Sequence, residues 1–590
     1  MTPRVCCFAL SLLLLTAAAQ ADTPLAPEAS SGLQAKPGWA VKRFAVAAAN
    51  PLAAEAGYQI LKRGGSALDA AIAVQMVLTL VEPQSSGIGG GAFLMLWDGK
   101  TVQAWDGRES APAAAKPTMF LRPDGRPMTV PEAIVGGLSV ATPGALAMLA
   151  AAHRQNGKLP WAALFEPAIA LADEGFLVSP RLNALLSGEK ALRQAAQAAS
   201  YFYDEQGQPR PVGYRLKNPA LAAVLRTLAS EGAAAFYSGP MAADMAARVQ
   251  GHARPGLMTT ADLAAYKPLL REGLCADWLR YKVCGFPPPS SGQLTMMQIL
   301  KLIEIKGFAG DALVQRKPGV PWLHLYTEAS RLAFADRAQY IADPAFVTPP
   351  AGQWTSLLDV SYLRQRAALI GRVSMKVATA GQPAGVKLSQ AAQADQPEFG
   401  TSHISIVDAE GRAVAMTTSI ESGFGARIMS DGGTGLAGGF LLNNTMTDFS
   451  MSPTGADGLP VANRAEPGKR PRSSMSPTLV FDAKDGRLLL TVGAPGGPAI
   501  IHFTAKTLIA SLAWGLNLQA AVDLPNFGSF NGPTILEEGG FTPATAAGLR
   551  ALGHDVVEFE LTSGLLGIQR TPTGWFGAAD PRREGVVKGE

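Results

Sequence analysis

The stretch Glu398-Phe399-Gly400-Thr401-Ser402-His403 divides the chain into two kinds of sequence. Before it, from about Val373 to Pro397, the residues are mostly Gln, Ala, Gly, Lys and Ser, with few large apolar side chains. That is the make-up of a loose linker with little to bury. After it, Ile404-Ser405-Ile406-Val407 alternates, turns at Asp408-Ala409-Glu410-Gly411, and returns as Ala413-Val414-Ala415-Met416-Thr417-Thr418. This is a β-hairpin pattern. A hydroxyl residue therefore stands where a linker meets a buried strand. A cut before Thr401 would turn that residue into a new chain end.

Composition narrows the class. The 590 residues are 47% hydrophobic and 17% charged, as in a globular protein. A net charge of +4 is small for this length, so no nucleic-acid footprint is expected. The six His are scattered, with no H-x-x-x-H or C-x-x-C pair, so neither a metal nor another cofactor is expected. Residues 1–21 read as an export signal: Arg4, an apolar run from Phe8 to Leu15, then Ala19-Gln20-Ala21 before Asp22. The run is too short to span a bilayer, and Asp69 and Gln75 interrupt the next candidate, Ala67–Val81. The mature chain is expected to be exported, periplasmic or secreted, with no membrane segment. Cys6 and Cys7 fall in the signal. Cys275 and Cys284 either face each other across a hairpin as a disulfide or stay as two thiols.

Along the chain, residues 22–42 read as a mobile terminus. Arg43–Ala49 is a strand candidate and Pro51–Arg63 a helix. Ser66-Ala67-Leu68-Asp69 has the form of a capping box opening a buried helix to Leu80. Glu82-Pro83-Gln84-Ser85-Ser86-Gly87-Ile88-Gly89-Gly90-Gly91-Ala92 contains G-x-G-x-x-A. It follows a helix and opens a strand, Phe93–Trp97, the reverse of a dinucleotide loop. Its glycines are read as close backbone packing at a turn. Val102–Trp105 continues as strand, Ala145 to about Leu270 reads helical, and Trp278–Gly285 returns to strand. Helices are expected at Leu294–Ile305 and Leu323–Ala338. Beyond the hairpin come strands at Phe440–Asn444, Ser476–Phe481 and Leu488–Val492, helices at Ile500–Leu512 and Pro543–Leu552, and a last strand at Val556–Leu561. The pattern predicts an α+β protein with helices covering a sheet sandwich.

Several separated motifs carry a resemblance. They are Glu82 to Gly91, Pro287–Gly292, Glu328 to Asp343 with Ala335-Asp336-Arg337, and Gly400-Thr401-Ser402-His403. Further on stand Leu441-Leu442-Asn443-Asn444 with Asp448-Phe449-Ser450, Gly468 to Thr478, and Pro495-Gly496-Gly497. Together, in this order, the chain resembles the γ-glutamyltranspeptidase family. The resemblance implies an N-terminal-nucleophile hydrolase fold, a four-layer αββα sandwich. It implies self-cleavage between Gly400 and Thr401, giving a large subunit, 22–400, and a small subunit, 401–590. Thr401 would be the nucleophile and its new α-amine the base, since a threonine hydroxyl needs a base within reach. Thr417 matches a family threonine near the nucleophile, and Gly496 and Gly497 the oxyanion donors. Arg108, Ser473 and Ser474 match the clamp for the substrate α-carboxylate, and Asp448 the acid for its α-ammonium. The substrate implied is a γ-glutamyl or related amide, with glutathione the usual donor.

The pattern also departs from the family. Two ammonium-pocket positions that usually carry Asn and Gln are here Glu421 and Thr445, and a family Thr is Ser419. Met451–Glu466, where a covering aromatic is often found, has none. Ser419-Ile420-Glu421-Ser422-Gly423-Phe424-Gly425-Ala426-Arg427 is similar to the cephalosporin acylase-like branch. Glu421 either pairs with an ammonium, repels a dicarboxylic acyl group, or is neutralised by Arg427. An amidase of that branch is thus the alternative within the fold, and an unprocessed exported binding protein the alternative outside it. His403 sits beside Thr401 like a triad histidine, but with an amine as base it is read as structural. Asn443 with Thr445 forms a glycosylation sequon in an apolar context and is read as buried.

Overall fold

A computed structural model of the chain describes residues 30–308, 310–386, 388–394, 396 and 400–590. The export signal, its cleavage site, and Glu398 and Phe399 lie outside the described residues. The hairpin forms as its alternation requires, Ser402–Val407 pairing antiparallel with Ala413–Ser419. All thirteen residues of the two strands are buried. Both faces of this hairpin are therefore covered.

Fourteen strands build the two sheets. In chain order they are β1 (Trp39–Val41), β2 (Ala45–Ala48), β3 (Gly91–Trp97), β4 (Val102–Gly107), β5 (Leu269–Glu272), β6 (Leu274–Trp278) and β7 (Tyr281–Gly285). The hairpin supplies β8 (Ser402–Val407) and β9 (Ala413–Ser419). They are followed by β10 (Thr478–Asp482), β11 (Leu488–Gly493), β12 (Leu566–Thr571), β13 (Gly574–Ala579) and β14 (Val586–Gly589). One sheet runs β14–β2–β8–β9–β3–β4–β5 and the other β1–β13–β12–β11–β10–β7–β6, antiparallel throughout. They pack face to face. Phe93 stacks on Phe286 with ring centroids 4.0 Å apart, and Trp97 meets Phe481 edge-on at 4.9 Å. In β10, Leu479 and Phe481 enter the core between the sheets while Val480 enters the core under the outer helices. That split is the period-2 rule of a strand buried on both faces.

Helices cover both outer faces. On the β8–β9 sheet lie α1 (Pro51–Lys62) and α2 (Ala67–Val81). Asn50 caps the first. Ser66 and Asp69 close the capping box of the second, whose fifteen residues are all buried. The other sheet carries α3 (Gly292–Lys306), α4 (Val320–Tyr340) packed on α3, and α5 (Ala499–Leu508). The result is the α+β, four-layer αββα sandwich. Among the described residues no helix is long and apolar enough to cross a membrane.

The structure corrects several expectations. Residues 39–41 are not a mobile terminus, because β1 pairs with β13 at a sheet edge. Val556–Phe559 is not the last strand, since β12, β13 and β14 follow it. β12 and β13 carry glycines and β14 has only four residues, so their apolar residues form no long run, yet they join strands far away in sequence. The helical reading of 145–270 ends early, because Leu269 and Leu270 belong to the edge strand β5. Phe440–Asn444 shortens to Phe440–Leu441. Asn443 leaves the ladder to hold a loop, accepting from Ala141 N–H at 3.0 Å and donating to Gly89 O at 2.9 Å. It is buried, as read. Cys275 and Cys284 are directly opposed on β6 and β7 and joined as a disulfide. The linker is less loose than its composition. Met375 N–H donates to Glu328 at 2.8 Å, Arg331 donates to Lys376 O at 2.8 Å, and Gly381 N–H donates to Asp336 at 2.9 Å.

Candidate active site

Thr401 lies just before β8 and is buried. Across from it is the turn Ala494–Pro498, which carries β11 of the opposite sheet into α5. The Gly496 N–H donates to Thr401 Oγ1 at 3.3 Å. Gly496 has φ +126°, and a Cβ there would stand 2.7 Å from the Phe503 ring, so glycine is required twice over. The Thr401 carbonyl accepts from Arg583 Nη1 at 3.5 Å.

The hairpin register brings Ser419 alongside, since Ser402 is paired with Thr418. Ser419 Oγ donates to the Gly400 carbonyl oxygen at 2.7 Å and accepts the Glu421 N–H at 2.7 Å. Glu421 has φ +76°, which turns the chain sharply after β9 and brings its side chain to the pocket. The glycines of the 87–91 turn permit this closeness. A Cβ at Gly90 would stand 2.1 Å from Ser419 O, and one at Gly91 would stand 2.2 Å from the Glu109 carboxylate.

Arg108, at the end of β4, is buried among acids. It pairs with Asp448, and with Glu109 at 3.3 Å, and donates to the carbonyls of Pro471 and Arg472 at 3.2 Å each. Burial acts to lower the guanidinium pKa. Asp448, Glu109 and Glu421 outweigh it and hold the group above its ordinary value. Burial raises the Glu109 carboxyl, and Arg108 opposes that only in part. Ser474 Oγ accepts from Arg337 at 2.7 Å, and the Ser473 N–H donates to Pro289 O at 3.0 Å, which fixes the two serines against the Pro287–Gly292 turn.

A small pocket is lined by Arg108, Thr401, Ser419, Glu421, Asp448, Ser473, Ser474 and Gly497, with Met475 and Ile500. Residues spread over nearly four hundred positions of sequence thus share one small space. Two expected residues stand behind it. Thr417 Oγ1 is bonded to His403 Nδ1 at 2.9 Å. Thr445 Oγ1 donates to Glu109 at 2.8 Å. It is Ser419, rather than Thr417, whose hydroxyl touches the Gly400–Thr401 bond. His403 is held by Thr417 and by Ser405 at 3.1 Å, and burial pushes it down to about 3, so it is neutral. Arg427 pairs with Glu189 at 2.9 Å. Sequence reading passed over Glu109, Arg337 and Arg583. Arg337 lies inside the Ala335-Asp336-Arg337 motif and Glu109 directly follows Arg108, and that adjacency is their signal. Nothing in the local sequence marks Arg583.

Comparison with known proteins gives a consistent picture. Residues 53–590 match the family model described as Gamma-glutamyltranspeptidase. The chain is 35% identical over 559 residues to the "Glutathione hydrolase proenzyme" of Bacillus subtilis (strain 168), covering 92% of this chain and 91% of that one. It is 35% identical over 583 residues to the protein of the same name from Escherichia coli (strain K12), covering 95% and 94%. The fold superposes on the crystal structure of cephalosporin acylase from Bacillus halodurans with a TM-score of 0.81 at 27% identity, covering 96% of this chain and 99% of that one.

Proposed function

The chain belongs to the γ-glutamyltranspeptidase family, and on that premise we propose that it is exported, cuts itself before Thr401, and then passes a γ-glutamyl group from glutathione or a related amide to water or an amine. Residues 22–400 and 401–590 are the two subunits of the cut enzyme. In self-cleavage, Thr401 Oγ1 attacks the Gly400 carbonyl carbon. The carbonyl oxygen takes negative charge and is met by the Ser419 hydroxyl, which already donates to it at 2.7 Å. The Gly400–Thr401 C–N bond breaks, and the hydroxyl proton ends on the released nitrogen. Water then hydrolyses the ester, leaving Gly400 as a carboxylate and Thr401 with a free amine.

That amine is the base for turnover. Its reference pKa, about 8, lets it accept the Thr401 hydroxyl proton near neutrality. The hydroxyl attacks the substrate amide, the oxyanion forms against the Gly496 and Gly497 N–H groups, and the leaving amine takes the proton. The acyl-enzyme ester is then released to water or to an acceptor amine. The observation that carries this reading is the convergence of Thr401, the Arg108–Asp448 pair, Ser473, Ser474 and Gly497 on one pocket. An amino-acid head group bears both charges. Its carboxylate takes Arg108 and the two hydroxyls, and its ammonium takes Asp448.

The acylase reading differs in the acyl group, and charge decides between them. One guanidinium here faces Asp448, Glu421 and Glu109. A γ-glutamyl group adds an ammonium to that excess of acid, whereas a glutaryl group brings a carboxylate without one. The pocket therefore favours the γ-glutamyl donor. The test is a donor panel, a γ-glutamyl anilide against a glutaryl amide, on wild type and Glu421→Gln. Wild type is expected to prefer the γ-glutamyl donor, with the variant losing roughly 10- to 100-fold of that preference, the worth of one charged hydrogen bond. Preference for the glutaryl amide in wild type would establish the acylase reading instead.

A further inference from the structure

Away from the pocket, α4 carries His324, Glu328 and Arg331, all buried, facing His554 and Thr534 of the C-terminal part. The five form a continuous hydrogen-bonded chain. His324 Nε2 lies 3.0 Å from Gly371 O, which only accepts, so Nε2 carries the proton and Nδ1 is bare. His554 Nε2, 2.7 Å from that Nδ1, must then donate. His554 Nδ1 is bare in turn and takes the Thr534 hydroxyl at 2.7 Å, while Thr534 accepts from Arg331 at 2.9 Å. Every proton is assigned by its neighbour.

The same side chains grip the stretch before the cut site. His324 holds Gly371, Glu328 takes the Ser374 hydroxyl at 3.0 Å and the Met375 N–H at 2.8 Å, and Arg331 holds Lys376 O at 2.8 Å. From the other side, Ser374 N–H donates to Leu552 O at 2.8 Å, and Ala378 N–H donates to Asn531 at 2.7 Å. Residues 371–381 are therefore clasped between α4 and the segment 531–555.

We propose that the His324–His554 bond is an acid-released latch that keeps residues 371–381 docked between α4 and the segment 531–555. A bond between two imidazoles requires one bare nitrogen. A further proton on the pair sets N–H against N–H. The charged groups facing it reinforce this. Arg331 opposes a second cation, and Glu328, within 4.8 Å of both rings, already serves Arg331, Ser374 and Met375. Asp555 favours protonation of His554 but is exposed and paired with Lys376 at 3.5 Å. Burial, with Arg331 and His324, lowers His554 to about 4. A shared metal ion fits less well, because two nitrogens on one tetrahedral zinc stand about 3.3 Å apart, against 2.7 Å here.

Hydrogen exchange of the 371–381 amides, read by mass spectrometry at pH 8 and pH 5 and corrected for the intrinsic rate, tests this. Wild type is expected to lose about 30-fold of its protection, from a His554 value near 4 against the ordinary 6.5. His554→Asn is expected to be weakly protected at both pH values. Equal pH responses in the two proteins would overturn the latch. So would stoichiometric zinc whose chelation loosens the segment. Should the variant not fold, ¹⁵N spectra of the wild-type imidazoles serve alone: both rings protonated at Nε2 support the latch, and a bare His324 Nε2 rules it out. Repeating the exchange on uncut Thr401→Ala separates a failure of the latch from a failure of the cleavage reading.

Discussion

Replacing Ser419 by alanine removes the hydroxyl that donates to the Gly400 carbonyl oxygen at 2.7 Å and leaves the backbone around it in place. In the proposed self-cleavage that oxygen is where negative charge grows as Thr401 attacks. A single donor aimed at such an oxygen is worth about 2.7–4 kcal/mol, or roughly 10²–10³ in rate. The Glu421 N–H, which now donates to Ser419 Oγ at 2.7 Å, also loses its acceptor. A buried orphan N–H costs about 1–3 kcal/mol, but it is present before and during the attack, so it lowers stability more than rate. Self-cleavage of Ser419→Ala should therefore run roughly 100- to 1000-fold slower, while Ser419→Thr, which keeps the hydroxyl, should stay close to wild type. The assay is a time course on a denaturing gel, following the uncut chain into two fragments. Thr417→Ala is the control, because its hydroxyl is bonded to His403 and not to Gly400. If Ser419→Ala cuts at the wild-type rate, or if Thr417→Ala is the variant that stops cutting, the reasoning from this geometry is wrong.

Three other outcomes are expected. His403 and His502 are held at about 3 and His554 at about 4, mainly by burial, below the ordinary 6.5. Their contribution to stability is full above pH 6.5 and lost as the pH falls toward 3, so unfolding should take up as many as three protons from these groups, a slope of at most about 4 kcal/mol per pH unit. Denaturant midpoints from pH 8 to 4.5 measure it, and a flat profile would contradict the buried neutral imidazoles. Replacing Cys275 and Cys284 by serine opens a link across nine positions and should cost about 2–3 kcal/mol of stability. Cleavage should be unaffected, because the bridge is at a sheet edge. Gly496→Ala should lower kcat/KM at least about 100-fold by moving the N–H proposed as an oxyanion donor. Phe503→Leu added to it makes room for the new methyl but leaves the φ of +126° unfavourable, so activity should return only in part.

Local pattern was enough for much of the fold. The alternation from Ile404 to Thr418, the Ser66–Asp69 capping box, and the long apolar runs of α2, α3 and α4 each fix their own element, because period and capping are properties of neighbouring residues. The family resemblance likewise named Thr401, Arg108, Asp448, Ser473, Ser474 and Gly497, all of which line the pocket. Other features depend on partners far away in sequence, which local pattern does not contain. The edge strand Trp39–Val41 is only three residues long, and the C-terminal strands carry glycines or, in β14, only four residues, so none signals itself, and they exist because a sheet supplies the other half of their hydrogen bonds. Which hydroxyl reaches the Gly400 carbonyl was settled by strand register: Thr417 and Ser419 lie on the same face, and a two-residue step decides whether His403 or the Gly400 carbonyl is met. The His324–His554 contact joins residues 230 positions apart, and neither histidine has a sequence neighbour that marks it. What the sequence alone determined was the elements that carry their own periodicity or caps and most of the residues that line the pocket; only tertiary packing formed the edge and C-terminal strands and decided which atoms touch, because those contacts join strands and loops that meet only once both sheets are assembled.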